Sequence, residues 1–116
     1  MSENILEITN DISDGICRLF AKGRIDSNSA NTLHEMLKKA LEDEQKVIVL
    51  NMENVEYLSS IGIRVILKVF KQSAEMEGKF NIEQPSNIVK NVLGMLALKE
   101  ILVMNWLAGN NVNKIT

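Results

Sequence analysis

The chain has 116 residues, 46% of them hydrophobic and 24% charged, with a formal charge of -2. That length and balance predict one globular domain over residues 1–116 and argue against disorder. The mildly acidic charge argues against a binder that grips nucleic acid or an anionic membrane through basic electrostatics.

In chain order, ILEIT (5–9) alternates apolar and polar residues and predicts a strand. NDISDG (10–15) is rich in turn formers, and ICRLFA (16–21) predicts a second strand, so the chain is expected to begin with a hairpin. Gly23 is then expected to let the chain leave that strand. Asp26-Ser27-Asn28-Ser29 offers several capping side chains ahead of a helix. Ala30, Leu33, Leu37, Ala40 and Leu41 recur at helical spacing, with charged residues mainly opposite, which is the pattern of an amphipathic surface helix.

KVIVL (46–50) is apolar without alternation, as a strand covered on both faces near the middle of a sheet would be. NMENVEYL (51–58) reads as a polar turn. A second helix follows, its face drawn through Val65, Ile66, Val69, Phe70, Ser73 and Met76, with Gly78 expected just past its end. KFNIE (79–83) predicts a strand. Pro85 and Ser86 introduce a third helix, with Ile88, Val89, Val92, Leu93 and Leu96 on its face. EILVMN (100–105) is expected to be a last short strand. The order β-β-α-β-α-β-α-β implies an α/β domain whose mostly parallel sheet is entered by an N-terminal hairpin and flanked by helices.

Residues suited to catalysis are sparse. His34 is the only histidine and Cys17 the only cysteine, so neither a two-histidine metal motif nor a cysteine pair exists. His34 falls inside the first helix, where a structural or solvated role is expected. Cys17 is expected to pack in a strand as a small apolar residue, and a lone thiol suits a reducing compartment. Neither common nucleotide cradle, G-x-G-x-x-G or G-x-x-x-x-G-K-[ST], occurs, so no cofactor is expected. MSENILEITND lacks the layout of a signal peptide, and the apolar runs are too short to span a bilayer. A soluble cytoplasmic location is therefore expected.

The notable stretch is YLSSIGIRVILKVF (57–70), in which two serines precede an apolar helix. A serine there can simply cap the helix, worth ~1 kcal/mol over alanine. However, no Glu or Gln stands three residues on to complete a capping box. Gly62 falls in the first turn, where it costs ~1 kcal/mol against alanine. A glycine so placed suggests that something approaches the backbone closely, and a partner surface would benefit from the missing side chain. The same helix end receives an anion well, so a phosphate added to the serine would change the surface without melting the helix.

The stretch VIVLNMENVEYLSSIGIRVIL (47–67) resembles the central motif of STAS domains, above all the bacterial anti-sigma-factor antagonists. GRID (23–26) resembles a second block of that family. The resemblance implies a STAS-like single domain and a protein that is not an enzyme but acts by partner switching. Its implied partner is an anti-sigma factor with serine kinase activity, bound by the unmodified antagonist and released after phosphorylation. A serine phosphatase would reset the cycle. Aligned on the glycine and the apolar helix, the acceptor falls on Ser60, with Ser59 as the alternative, and Asp26 matches an acidic position near it. The implied contact surface comprises Asp26, Ser59, Ser60, Ile61, Gly62 and Arg64. The chain departs from the family pattern in carrying Ser59 and Asn51 where aspartate is common.

Two other readings stand beside this one. A STAS scaffold that is never phosphorylated, working as a subunit of a transport or signalling complex, would bind its partner constitutively. A small enzyme using Ser60, His34 or Cys17 would need those groups within hydrogen-bond reach of one another.

Overall fold

Asp14 and Gly15 both take positive φ, 56° and 80°, the backbone of a two-residue type I′ hairpin turn. The structure is a computed structural model and describes residues 6–43 and 47–95. It opens with β1 (Glu7–Ser13) antiparallel to β2 (Ile16–Ile25), Ser13 facing Ile16. The expected strand over 5–9 and turn over 10–15 are thus corrected. Asn10 and Asp11 belong to the strand, opposite Leu19 and Arg18. β1 is a sheet edge and largely exposed, so polar side chains fit it.

The remaining described elements are α1 (Ala30–Glu42), β3 (Val47–Leu58), α2 (Ser60–Glu75), β4 (Lys79–Glu83) and α3 (Asn87–Met95). The strands lie in the order β1-β2-β3-β4, and β3 runs parallel to both β2 and β4. The expected α/β sheet, mostly parallel, entered by a hairpin and flanked by helices, is therefore observed. The side chain of Leu93, Leu96, the strand expected over 100–105, and Trp106 lie outside the described residues.

The central strand is longer than its apolar run. NMENVEYL, expected to be a turn, continues β3 to Leu58 beside β2. Met52, Val55 and Leu58 are buried while Glu53, Glu56 and Tyr57 are exposed, so only a few side chains of this half reach the core. β2 likewise runs past Gly23, where a departure was expected. Gly23 has φ 116°, and the pairing with β3 shifts register between Gly23 and Arg24 and again between Phe20 and Lys22. Only glycine adopts that backbone without strain, so it absorbs the irregularity while the strand continues to Ile25.

One face of the sheet presents Cys17, Leu19, Ile48, Leu50, Phe80 and Ile82 to the helices, and all are buried. Leu33, Leu37 and Leu41 of α1 and Ile63, Ile66 and Val69 of α2 complete this core. On the other face, Arg18 of β2 makes a two-pronged contact with Glu83 of β4, at 2.9 and 3.3 Å. Asn51 of β3 donates to the same carboxylate at 2.9 Å. The spacing of α1 and the burial of Ile48, Val49 and Leu50 in β3 match expectation.

The end of α2 differs from expectation in two ways. Met76 is not on the buried face: it caps the helix and is 41% exposed. The left-handed residue after the cap is Glu77, with φ 60°, rather than Gly78. The amides of Glu77 and Gly78 donate to Ala74 O and Ser73 O, closing a Schellman motif one residue earlier than anticipated.

Candidate functional site

Ser59 and Ser60 have separate tasks. Ser59 is the N-cap of α2, extended at φ -88° and ψ 169°, and its Oγ accepts from the Gly62 N–H at 3.2 Å. Its own N–H donates to Ile25 O at 2.8 Å, tying the helix start to the end of β2. Ser60 is the first residue of the helix and is exposed. Its hydroxyl makes no hydrogen bond among the described residues. Ile61 beside it is 41% exposed, and Arg64, one turn on, is exposed as well.

Gly62 is buried beneath this surface. A β-carbon at 62 would stand 2.5 Å from Ile25 Cγ2 and 2.9 Å from Leu58 Cδ1. The glycine is therefore required by the seating of α2 on the ends of β2 and β3. The close approach inferred from the sequence is internal, by Ile25, and no opening for a partner is needed to explain it.

Asp26 lies in the turn after β2. Its Oδ1 accepts from the amides of Asn28 at 2.9 Å and Ser29 at 3.2 Å. The Ser29 hydroxyl donates to Arg24 O at 2.6 Å and accepts from the Asp26 N–H at 3.0 Å. Ser29 is the N-cap residue of α1, but its side chain makes no capping bond to that helix and instead braces the turn. The Asn28 amide, chiefly, holds the Asp26 carboxyl below its ordinary range against some desolvation, with Ser29 and Arg24 adding to the effect.

Two residues absent from the predicted surface belong to this neighbourhood. Arg24 and Tyr57 face each other across β2 and β3. The guanidinium lies 4.3 Å from the Tyr57 ring centroid, and Arg24 Nε is 3.7 Å from Asp26 Oδ2. Arg24 stands inside GRID and Tyr57 just ahead of the serines, but only the strand register brings them together. Asn51, where the resemblance led to an expected aspartate at a strand end, lies inside β3. It uses Nδ2 on Glu83 and accepts from the Glu53 amide with Oδ1 at 3.1 Å.

Of the groups an enzyme would use, Cys17 and Ser60 lie at opposite ends of the sheet. Cys17 is buried opposite Ile48, whereas Ser60 follows Leu58, which faces Ile25. From 17 to 25 along β2 is roughly 26 Å. Burial, with Asp43 second, pushes the Cys17 thiol up, away from a reactive thiolate. Among the described residues, no group of three or more His, Cys, Asp or Glu is placed to hold a metal ion, and no helix is long and apolar enough to cross a membrane. A groove of about 310 Å³ between α1 and α2 is lined by Lys38, Leu41, Glu42, Gln72, Glu75 and Met76, toward the far end of α2 from Ser60. Near the serine the surface carries instead the exposed side chains of Ser60, Ile61, Arg64 and Tyr57, with Arg24 half-buried beside the ring.

This sheet, with a capped helix after its central strand, is the arrangement of a STAS domain, and the STAS domain family matches residues 7–113. The chain belongs to that family. Among its relatives is BtrV of Bordetella bronchiseptica, named as an anti-sigma factor antagonist, with 30% identity over 74 residues, 64% of each chain. The match thus spans somewhat less than two thirds of BtrV. An anti-sigma factor antagonist from Mycobacterium paratuberculosis has a similar structure, with TM-score 0.77 at 17% identity, covering 85% of this chain and 84% of that one. The Bacillus protein SpoIIAA is also similar. Its unphosphorylated form superposes with TM-score 0.71 at 15% identity over 83% and 85% of the two chains. Its phosphorylated form gives 0.66 at 14% over 83% and 88%.

Proposed function

We propose that this chain is an anti-sigma factor antagonist that works by partner switching. Unmodified, it binds an anti-sigma factor with serine kinase activity. Phosphorylation of Ser60 by that partner releases it, and a serine phosphatase restores the binding form. The observation that carries the reading is the division between the serines: Ser59 is held in the cap, while the Ser60 hydroxyl is exposed and makes no hydrogen bond among the described residues. The relatives support the same class of function, since BtrV is named as an antagonist and SpoIIAA occurs in a phosphorylated form.

The contact surface centres on Ser60 and Ile61, with Ser59 and Gly62 shaping the helix start and Asp26 and Arg64 at its margins. A phosphate adds about -1.5 to -2 charge at neutral pH. A partner packed against an aliphatic side chain and a neutral hydroxyl must then desolvate or repel that charge, which weakens binding. The test is binding of the purified cognate anti-sigma factor, with intact-mass measurement after incubation with ATP. Wild type is expected to gain one phosphate and S60A none. S60A should bind as wild type does, and S60D at least tenfold more weakly. Equal binding of S60D with no phosphate uptake would instead indicate a constitutive STAS scaffold.

A further inference from the structure

We propose that Arg64 is the internal counter-ion of phosphorylated Ser60, an inference that rests on the assignment of Ser60 as the modified residue. Ser60 and Arg64 stand one turn apart on α2, and both are exposed. Side chains on a helix lean toward its N-terminus, so the Arg64 stem sweeps back over the turn that holds Ser60. An acid placed four residues before a base is also the favourable order for such a pair.

The charges around the site leave this guanidinium available. Arg64 enters no ion pair among the described residues, whereas Arg24, the other arginine near this end, is engaged by Asp26 and the Tyr57 ring. The first turn of α2 contains no acidic side chain, so no carboxylate on that turn competes for Arg64 before modification. In the transfer, Ser60 Oγ forms a bond to the terminal phosphorus of a nucleoside triphosphate. The bond from that phosphorus to the bridging oxygen breaks, the diphosphate leaves, and the hydroxyl proton passes to a base of the kinase. The product carries acceptor oxygens that match the planar fork of an arginine.

Modification then does two things to the surface. It introduces an anion, and it engages a guanidinium that makes no ion pair among the described residues of the unmodified protein. Arg64 is in this sense a positioning residue of the switch, setting where the phosphate sits and what is withdrawn from the partner.

The experiment uses the full chain with phosphoserine incorporated genetically at 60, so that no kinase is needed, in wild type, R64Q and R64K. In the isolated protein, the Arg64 Nε–Hε signal in ¹⁵N–¹H spectra is expected to shift and exchange more slowly when Ser60 carries phosphate. Phosphate should favour the folded state ~2–5-fold more in wild type than in R64Q, with R64K intermediate. An Arg64 signal indifferent to the phosphate, or the same effect of phosphate on wild type and R64Q, overturns the proposal. If the guanidinium pairs with the phosphate but the anti-sigma factor binds as before, the pairing stands and the partner-switching reading fails.

Discussion

Gly62 and Ile25 meet where α2 crosses the end of β2, so closely that a β-carbon at 62 would lie 2.5 Å from Ile25 Cγ2. Ile25 is fully buried and branched at Cβ, so it cannot swing aside without disturbing the core. G62A is expected to destabilise the protein by about 1–3 kcal/mol through overpacking, despite alanine's better helix propensity. Adding I25A to G62A removes the obstructing methyl, so the double variant should be more stable than the two single costs added together predict. Urea denaturation of the four proteins checks both expectations; a neutral or stabilising G62A would show that the contact relaxes freely.

Ser59 and Ser60 should separate cleanly in stability. S59A removes the cap bond to the Gly62 amide and is expected to cost ~1 kcal/mol. S60A removes a hydroxyl without a partner among the described residues and should lie within ~0.5 kcal/mol of wild type. Chemical denaturation distinguishes them, and a reversed order would reassign the cap.

The Asp26 carboxyl is held below its ordinary range by the Asn28 amide first, then by Ser29 and Arg24. A lowered folded-state value means that the native chain binds fewer protons than the unfolded chain, so stability rises with pH. Its contribution is complete above the carboxyl's unfolded value and is lost as pH falls through the folded one. D26N should therefore flatten the acid limb of a plot of thermal midpoint against pH, and an NMR titration of the Asp26 side chain gives the folded value directly. Parallel acid limbs for the two proteins would contradict the assignment.

Asn51 lies 2.9 Å from a Glu83 oxygen through its amide nitrogen. N51D replaces that donor with an oxygen facing a carboxylate at a position only 7% exposed. The variant is expected to lose about 1–3 kcal/mol near neutral pH. Replacing Glu83 as well removes the repulsion, so N51D should cost less in an E83Q background than in wild type. Urea denaturation of the four proteins measures the difference, and an undiminished cost would rule out this cause.

Much of the architecture follows from local signals. Asp14-Gly15 makes the hairpin turn because both residues tolerate positive φ. The spacing of Leu33, Leu37 and Leu41 makes α1 an amphipathic helix, and the unbroken KVIVL run belongs in a sheet interior. The motif around Ser60 indicated the family. Local signals were misleading where polar residues sit inside regular structure, as in Asn10–Asp11 of β1 and the second half of β3. Those segments are strands because a neighbouring strand pairs with their backbone, and nothing in their own composition records that neighbour.

By itself, the sequence determined the kind of fold and singled out the short stretch on which the proposed function rests, because helix period, turn chemistry and strand hydrophobicity are properties of adjacent residues. Tertiary structure alone decided what each residue of that stretch does. The Ile25 carbonyl and the Gly62 amide engage Ser59, leaving the Ser60 hydroxyl without a partner among the described residues. Gly62 is needed because Ile25 and Leu58 arrive beneath it, and Arg24 meets Tyr57 because irregular pairing near Gly23 sets their register. These contacts join residues distant in the chain, and their distances are set by packing rather than by any local pattern.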